Sequence, residues 1–435
     1  MPQEERLREL SSRLDAWLRD PLDTEPALAR ELVGLSSGEL RGFTELYSSR
    51  QRAEITEALL NKVALLQARS PKAAPPLCTL AIQFARFYRA KTPEEFNRSM
   101  LLQADAWREY GWTLMLLGDY EEAKTAIAEA ALYYSVVVID DVPPEDSDDL
   151  AFLHGTVLAH HLHSILSHYR DRKPRAPLSA VKRTAIEGAC RAGVMLGETL
   201  HNLGKTDEGL SIIERSSEVL LYFLDSRDRY VRARTVYAKI LGEAQRWAEA
   251  LSVFQATSAL ASESDDQEVQ AFIVSNYGVC YYYLGFPEKA RKYAELGVQM
   301  FEELGKPNDA IRPRTLLVLL LMDEGKERPV KYHAAIAELF KIRAAWLAAG
   351  MKNEAAQTMV RIIRAFVLSK RIHSINWAEM NRTFVAANLG SAALSVLQKL
   401  EKIAAQRPLT TTDADEALAA LSHLAPTGEL IEEAG

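Results

Sequence analysis

Five of the nine histidines in this 435-residue chain lie in one short stretch, and histidine is the side chain that most often ligates a transition metal. On a helix, His160 and His163 are i, i+3 neighbours, while His154, His161 and His168 recur every seven residues along one face. A zinc or iron site needs a third or fourth converging ligand, and the sequence has no HExxH or Glu-x-x-His pair. The pattern favours partly buried, hydrogen-bonded histidines, so we expect no bound metal or other cofactor.

The motifs of the common enzyme classes are also missing from the sequence. Gly204-Lys205-Thr206 has the residue types of a phosphate-binding loop, but the preceding glycine, Gly197, is two residues too far away. The acidic stretch over residues 140–149 resembles a calcium loop in composition alone, because prolines occupy the place of the required glycine. No nucleophile elbow, dinucleotide fingerprint or kinase signature occurs. We therefore expect a protein that is not an enzyme.

Composition restricts the class of protein further. Hydrophobic residues make up 48% of the chain and charged residues 26%, which is sufficient for a folded core. Three widely spaced cysteines form neither a disulfide framework nor a zinc motif, so we expect a reducing, cytoplasmic setting. There is no secretory h-region and no uncharged apolar run of 18 residues, so we expect no membrane contact. Six acidic residues after Arg407 supply most of the net charge of −7, and the near-neutral remainder argues against nucleic-acid binding.

The clearest pattern among the elements combines an aromatic and small-residue helix with a glycine turn. Trp107, Tyr110 and Gly111 are followed by Gly118-Asp119-Tyr120 and then by Ala123. This segment resembles a tetratricopeptide repeat, in which two antiparallel helices meet at a short turn and small residues allow their close approach. The resemblance implies that Gly111 and Ala123 are contact points and that Gly118 forms the turn.

Equivalent turns follow at regular distances along the chain. Their steps from Gly118 are 86, 41, 40 and 40 residues, which indicates a repeat of about 40 residues. Half of the first step predicts a turn near residue 161, yet residues 149–169 read as one uninterrupted, histidine-rich helix, so we expect the register to break there. The remaining register marks are Gly204, Gln245, Gly285 and Gly325.

Residues 93–404 are also similar to a set of largely uncharacterised bacterial tetratricopeptide proteins with long repeats. The resemblance implies an all-α fold, a right-handed superhelical solenoid of helix-turn-helix pairs. We expect an N-terminal helical head or cap over residues 1–66, a linker over 67–77, the solenoid over 78–404, and an acidic, flexible tail over 405–435. Residues 27–43 of the head have a weak helix-turn-helix pattern, so whether the head binds DNA or only caps the solenoid stays open.

In tetratricopeptide proteins the first helix of each pair lines a concave groove that holds a partner. Asn276 falls where the family often uses an amide to bind a peptide backbone, and aromatic and cationic residues share the predicted wall. The tyrosines near Asn276 would serve equally well as packing between helices. Mapped through the turns, the predicted groove residues are Arg108, Trp112, His201, Asn202, Arg232, Lys239, Phe272, Asn276, Val279 and Tyr282.

Three functional hypotheses follow from the sequence. The first is a protein- or peptide-binding scaffold or adaptor whose groove holds a segment with acidic and apolar groups. The second is a signal-responsive regulator of transcription or of a sigma factor, in which the repeats act as the sensor. The third is a metal-dependent enzyme that uses the histidine-rich helix. Homo-oligomerisation, the partner and the cellular process are left open by the sequence.

Overall fold

The computed structural model describes residues 3–20, 22–88, 90–138, 178–262, 266–349, 351–386, 391–405 and 410–422. These residues form α-helices with a few short 3-10 and π turns, and they contain no β-strand. The prediction of an all-α fold built from helix pairs is therefore confirmed for the described chain. The backbone divides into two compact units, an N-terminal unit of residues 1–237 and a C-terminal unit of residues 238–435.

The N-terminal unit begins with four helices that correspond to the predicted head and continues with longer helices. The boundary with the second unit falls inside its last helix. The helices are α1 (Gln3–Arg19), α2 (Ala27–Val33), α3 (Ser37–Glu45), α4 (Ser49–Arg69), α5 (Pro75–Arg86), α6 (Pro93–Leu117), α7 (Tyr120–Val138), α8 (Ala180–Asn202), α9 (Thr206–Glu218) and α10 (Arg227–Glu243).

The C-terminal unit contains the rest of α10 and nine further described helices. Its largest core lies among the helices after residue 310, around Leu339, Met359 and Leu400. The helices are α11 (Trp247–Ala261), α12 (Gln267–Tyr283), α13 (Pro287–Glu303), α14 (Ile311–Gly325), α15 (Val330–Ala349), α16 (Lys352–Leu368), α17 (Trp377–Ala386), α18 (Ser391–Ala405) and α19 (Thr411–Ser422).

The predicted turns between paired helices have the backbone geometry that the repeat requires. Gly118, Gly204 and Gly285 have φ angles of 82°, 81° and 80°, in the left-handed region that glycine adopts without cost. Gln245 occupies the same conformation with φ 62°, although it carries a side chain. Gly325 differs, because it still lies in α14, and a Cβ there would be 2.8 Å from the Tyr332 ring. At this hairpin the glycine provides space for packing.

The small-residue contact predicted between the helices of the first pair is also present. A Cβ added at Gly111 on α6 would lie 2.6 Å from Cγ1 of Ile127 and 3.4 Å from the main-chain oxygen of Ala123, both on α7. At Gly278 on α12, an added Cβ would lie 3.1 Å from the nitrogen of Ala294 and 3.2 Å from the oxygen of Ala290 on α13. The two helices of each pair therefore approach closely where one of them has no side chain.

The break in register that we expected after α7 does not separate the neighbouring hairpins. Helix α7 packs directly against α8, and α6 also contacts α8, so the pairs α6–α7 and α8–α9 are neighbours in space. Residues 139–177 are thus an insertion between two adjacent hairpins. The helix predicted for residues 149–169 lies outside the described residues.

The head shares its core with the first helix of the predicted solenoid. Leu14, Phe43 and Leu59 pack in one buried cluster with Phe84 of α5. Within the head, buried Lys62 of α4 donates through Nζ to the main-chain oxygens of the loop after α1, at Asp20 and Asp23. These contacts fix the head against its neighbours.

Two predicted boundaries differ from the structure. Residues 67–77, expected to be a linker, contain the end of α4, a 3-10 turn over Pro71–Ala73 and the start of α5, since prolines are compatible with the first turn of a helix. The tail expected to be flexible from residue 405 forms α19 over Thr411–Ser422, because Ala417, Ala420 and Leu421 are buried in the core of the C-terminal unit.

Candidate binding surfaces

Each hairpin leaves one face of its first helix partly open to solvent. On α8, most other positions are buried against α7 and α9, whereas Glu187, Arg191, Met195 and Glu198 are half-buried. Their spacing of four, four and three residues places them along one side of the helix. This side of α8 is therefore partly accessible to solvent.

Arg108, the first predicted groove residue, lies beneath this surface. The residue is only 6% exposed. Its Nη2 and Nε atoms donate to Oε1 of Glu109 at 2.8 and 3.2 Å, and its Nη1 donates to Asp105 and to the hydroxyl of Tyr134. The Tyr134 hydroxyl in turn donates to Oδ1 of Asp105 at 2.5 Å. Arg108 is thus a buried support of the face, held by three side chains.

The electrostatics of this network favour the charged form of Arg108. Burial by itself lowers the pKa of Arg108, but the Tyr134 oxygen and the carboxylates of Asp105 and Glu109 together raise it well above its ordinary value. Burial is also the main reason that the pKa of Tyr134 is raised, so its hydroxyl is protonated and available as a donor at neutral pH. The tyrosine ring fits only because α8 has Gly188 at the contact, where a Cβ would lie 2.2 Å from Cε1 of the ring.

The structure adds a residue that the sequence interpretation missed. Arg191 of α8 lies 3.9 Å, measured from its Nη2, from Oε1 of Glu109, and its side chain is 39% exposed. One helical turn earlier, Glu187 accepts from Nε of Arg229 on α10 at 2.7 Å. We call Asp105, Arg108, Glu109, Glu187, Arg191 and Arg229 the Arg191 cluster. The four-residue spacing of Glu187 and Arg191 was the available sequence signal.

Three other predicted groove residues also lie in the N-terminal unit, near hairpin cores or turns. Trp112 is half-buried and packs against the core around Leu114. His201 has Nδ1 3.0 Å from the hydroxyl of Thr206, the first residue of α9, and so contributes to the turn. Asn202 is exposed and donates to the main-chain oxygen of Glu198 at 2.9 Å.

The other two arginine and lysine residues of the predicted groove, Arg232 and Lys239, belong to different units. Arg232 is exposed on α10 in the N-terminal unit, three residues after Arg229. Lys239 belongs to the C-terminal unit, where its Nζ lies 3.5 Å from Oε1 of Glu243 and its side chain is 13% exposed. The residues predicted for the groove are therefore divided between the two units.

In the C-terminal unit, four residues form the solvent-facing side of α12. Phe272, Asn276, Val279 and Tyr283 are all half-buried and recur at spacings of four, three and four residues, and we call them the α12 face. Asn276 donates through Nδ2 to the main-chain oxygen of Phe272 at 2.8 Å. Phe272 packs beside the buried Phe301, and Val279 packs beside Leu316. The α12 face thus offers one amide between apolar side chains.

The remaining tyrosines of α12 mostly connect helices. Tyr282, a predicted groove residue, donates through its hydroxyl to Oδ2 of Asp323 on α14 at 2.7 Å. Burial and this carboxylate both raise the pKa of Tyr282. Tyr281 stacks on Tyr293 of α13, with ring centroids 5.5 Å apart. Tyr283, the tyrosine of the α12 face, stacks on Trp247 of α11, with ring centroids 3.9 Å apart.

The head has the helix-turn-helix arrangement predicted for residues 27–43, with α2 and α3 joined by a short turn. Ser36 and Glu39 form the capping box of α3. The helix buries Leu40 and Phe43, and its exposed Arg41 is paired with Glu45 at 3.4 Å. This helix therefore presents one arginine, already paired, where a DNA-reading helix needs several donors.

The histidines considered as candidate metal ligands, for which no bound metal was expected, all lie outside the described residues: His154, His160, His161, His163 and His168. Within the described part of the chain, no group of three or more potential ligands is arranged to hold a metal ion. Over the same ranges, no helix combines the length and apolar character needed to span a bilayer.

No family model and no curated protein matches the sequence. Among solved structures, a Rap protein complexed with Competence and Sporulation Factor is similar to this chain, with 13% sequence identity and a TM-score of 0.43. The match covers 85% of this chain and 92% of the Rap protein chain. The apo form of RapI is 11% identical, with coverage of 88% and 99% and a TM-score of 0.45. At these identities and TM-scores, the similarity transfers neither a ligand nor an activity.

Proposed function

We propose that this chain is a non-enzymatic scaffold or adaptor that binds a segment of another protein, or a peptide, on the first-helix faces of its hairpins. The observation that carries the proposal is the state of Asn276. Its one hydrogen bond within the described chain uses a single N–H, so its second N–H and its carbonyl oxygen are available to a partner.

The surroundings of Asn276 match the needs of an extended peptide. A peptide group needs a donor and an acceptor together, which one side-chain amide provides. Phe272 lies one turn before Asn276 on α12, and Val279 lies one turn after it. Both side chains are half-buried, so their exposed parts can contact apolar side chains of a bound peptide. The α12 face therefore supports binding of a main chain with apolar residues on either side of the amide.

The setting we propose is the cytoplasm. Cys78, Cys190 and Cys280 are all buried and free. Burial is also the main reason that the pKa of each thiol is raised, which keeps the thiols protonated and unreactive. Free thiols of this kind are consistent with a reducing compartment. A regulatory output, as in the second hypothesis from the sequence, would require that the bound segment belong to a signalling partner.

The proposal is tested by affinity selection from a defined peptide pool. Random octapeptides with free carboxyl termini are mixed with the purified full-length chain, and retained peptides are identified by mass spectrometry. We expect retention of a subset of sequences by the wild-type protein. Absence of any retained peptide at micromolar protein concentration would contradict the proposed function.

The role of the α12 face is tested with one substitution and a matched control. Asn276→Ala removes the amide and should weaken binding of the retained peptides about five- to tenfold, the value of one or two hydrogen bonds. Asn61→Ala makes the same change at an exposed position of α4 and should leave affinity unchanged. Equal affinities for the two variants would exclude the α12 face as the binding surface.

A further inference from the structure

Three successive first helices of the N-terminal unit bring arginines and carboxylates together. Helix α6 contributes Arg108 with its two acidic neighbours, α8 contributes Arg191, and α10 contributes Arg229. The contacts that join them are the ion pair from Arg191 to Glu109 and the ion pair from Arg229 to Glu187. The Arg191 cluster is therefore built from residues that are far apart in sequence.

Each carboxylate of the cluster has a close partner other than Arg191. Oε1 of Glu109 accepts two N–H groups of Arg108, at 2.8 and 3.2 Å. Asp105 accepts from Arg108 and from the Tyr134 hydroxyl. Glu187 accepts from Nε of Arg229 at 2.7 Å. Because these bonds are short and charge-assisted, each carboxylate already has a strong hydrogen-bond partner within the cluster.

Arg191 is the member of the cluster that lacks such a bond. The distance of 3.9 Å from its Nη2 to Oε1 of Glu109 is beyond hydrogen-bonding range, and its side chain makes no hydrogen bond with any described residue. A guanidinium carries five N–H donors in a planar fork, which fits a carboxylate in bidentate fashion. Arg191 is half-buried, and 39% of its side chain is exposed, so part of the side chain can be reached from solvent.

We propose that Arg191 receives a carboxylate of the bound partner, either an Asp or Glu side chain or the C-terminal carboxylate of a peptide. This proposal rests on the proposed peptide-binding function and specifies the chemistry of the ligand. It assigns Arg108 and Arg229 the role of positioning residues, because Arg108 holds Glu109, which lies 3.9 Å from Arg191, and Arg229 holds Glu187, one helical turn before Arg191.

The ionisation of Arg191 is consistent with this geometry. Burial lowers the pKa of Arg191, and the neighbouring charge of Arg108 lowers it further. Glu109 opposes the shift, while Arg229 adds to it. A carboxylate bound to Arg191 would relieve the repulsion among the three guanidinium groups, which is a gain that appears only on binding.

Two peptide pools test the inference and separate the two sources of carboxylate. One pool contains random octapeptides with free carboxyl termini, and the other contains the same sequences with amidated termini. If the carboxylate comes from a side chain, peptides retained from the amidated pool will be enriched in Asp and Glu. If it comes from the terminus, retention will be confined to the free-carboxyl pool. Retained peptides with neither preference would overturn the inference.

Variants at residue 191 connect the preference to the proposed residue. Arg191→Gln should weaken binding of the retained acidic peptides about tenfold or more, and Arg191→Lys, which keeps the charge but not the fork, should weaken it less. Arg50→Gln removes the same charge from an arginine of α4 that is 85% exposed and should have no effect. An undiminished preference for carboxylates in Arg191→Gln protein would also overturn the inference.

The outcomes distinguish the two proposals. If the wild-type chain retains no peptide from either pool, the proposed function fails and the carboxylate site fails with it. If it retains peptides whose binding depends on Asn276 but not on Arg191, peptide binding stands and only the carboxylate site is wrong. Urea denaturation of each variant checks that the fold is intact. If the Arg191→Gln variant is unfolded, the peptide affinity of the Arg191→Lys variant is used to test the inference.

Discussion

Gly197 of α8 and Gly209 of α9 meet backbone to backbone. A Cβ added at Gly209 would lie 2.3 Å from the main-chain oxygen of Gly197, and one added at Gly197 would lie 2.6 Å from the main-chain oxygen of Gly209. In the first hairpin the corresponding contact pairs Gly111 with Ala123. Residue 209 is a glycine where the first hairpin has an alanine, and α8 and α9 can therefore approach each other more closely.

We predict that Gly209→Ala destabilises the N-terminal unit. The new methyl group would meet main-chain atoms, which cannot move aside as a flexible side chain can, so α8 and α9 would have to separate. The free energy of unfolding from urea denaturation should fall by about 2 kcal/mol. Gly38→Ala is the matched control in α3, because no atom lies within 4 Å of the added Cβ. That variant should be unchanged or slightly more stable. Equal stability of the two variants would be inconsistent with the close contact.

We predict unequal stability effects for two arginines of the Arg191 cluster. Arg108→Gln leaves Asp105 and Glu109 without their buried cation and should lower the free energy of unfolding by about 3 kcal/mol. Arg191→Gln removes a partly desolvated charge that has no close partner and should change it by less than about 0.5 kcal/mol. Urea denaturation measures both, and a large loss in the Arg191 variant would show that Arg191 is a structural residue.

The buried thiols predict a loss of stability at alkaline pH. Burial raises the pKa of Cys78 to about 12 and that of Cys280 to about 12, from an ordinary value of 9.0. A raised pKa means that the folded state favours the neutral thiol. Its contribution is therefore complete below pH 9 and is lost as the pH rises toward 12.

Two measurements check this expectation. At pH 8, a thiol-reactive dye should label none of the three cysteines in the native chain and all three in guanidinium. The urea midpoint should fall between pH 8.5 and roughly pH 11, and the fall should be smaller for Cys78→Ala, which has no thiol to ionise at that position. Half-buried Tyr110, with a pKa raised by burial to about 12, also contributes to the pH dependence. Rapid labelling of native protein at pH 8 would contradict the burial.

The local geometry of the hairpins could be predicted from the sequence because it depends on few residues. A left-handed turn followed by an acidic, alanine-containing helix start locates Gly118 and Gly285, and Gln245 was found by spacing even without a glycine. The contact of Gly111 with Ala123 follows from the same local pattern. Short-range steric requirements are thus readable from the chain itself.

The charged surface could not be predicted in the same way. Arg108 was expected in the groove, yet Tyr134 and two carboxylates hold it beneath the surface. The pairing of Arg191 with Glu109 joins residues 82 positions apart on either side of an insertion. Arg108 is hydrogen-bonded to Glu109 and Arg191 is not, although their distances to the same oxygen differ by only about one ångström. Residue types and spacing do not determine such differences in distance.

The central claim is that a partner segment lies on the first-helix faces, and hydrogen exchange of the bound complex tests it most directly. A peptide retained by the wild-type chain is added at saturation, and amide exchange is compared with that of the free protein. We expect slower exchange in α12, the first helix that carries Asn276, with little change in its second helix α13. Protection confined to the second helices or to the head would contradict the account.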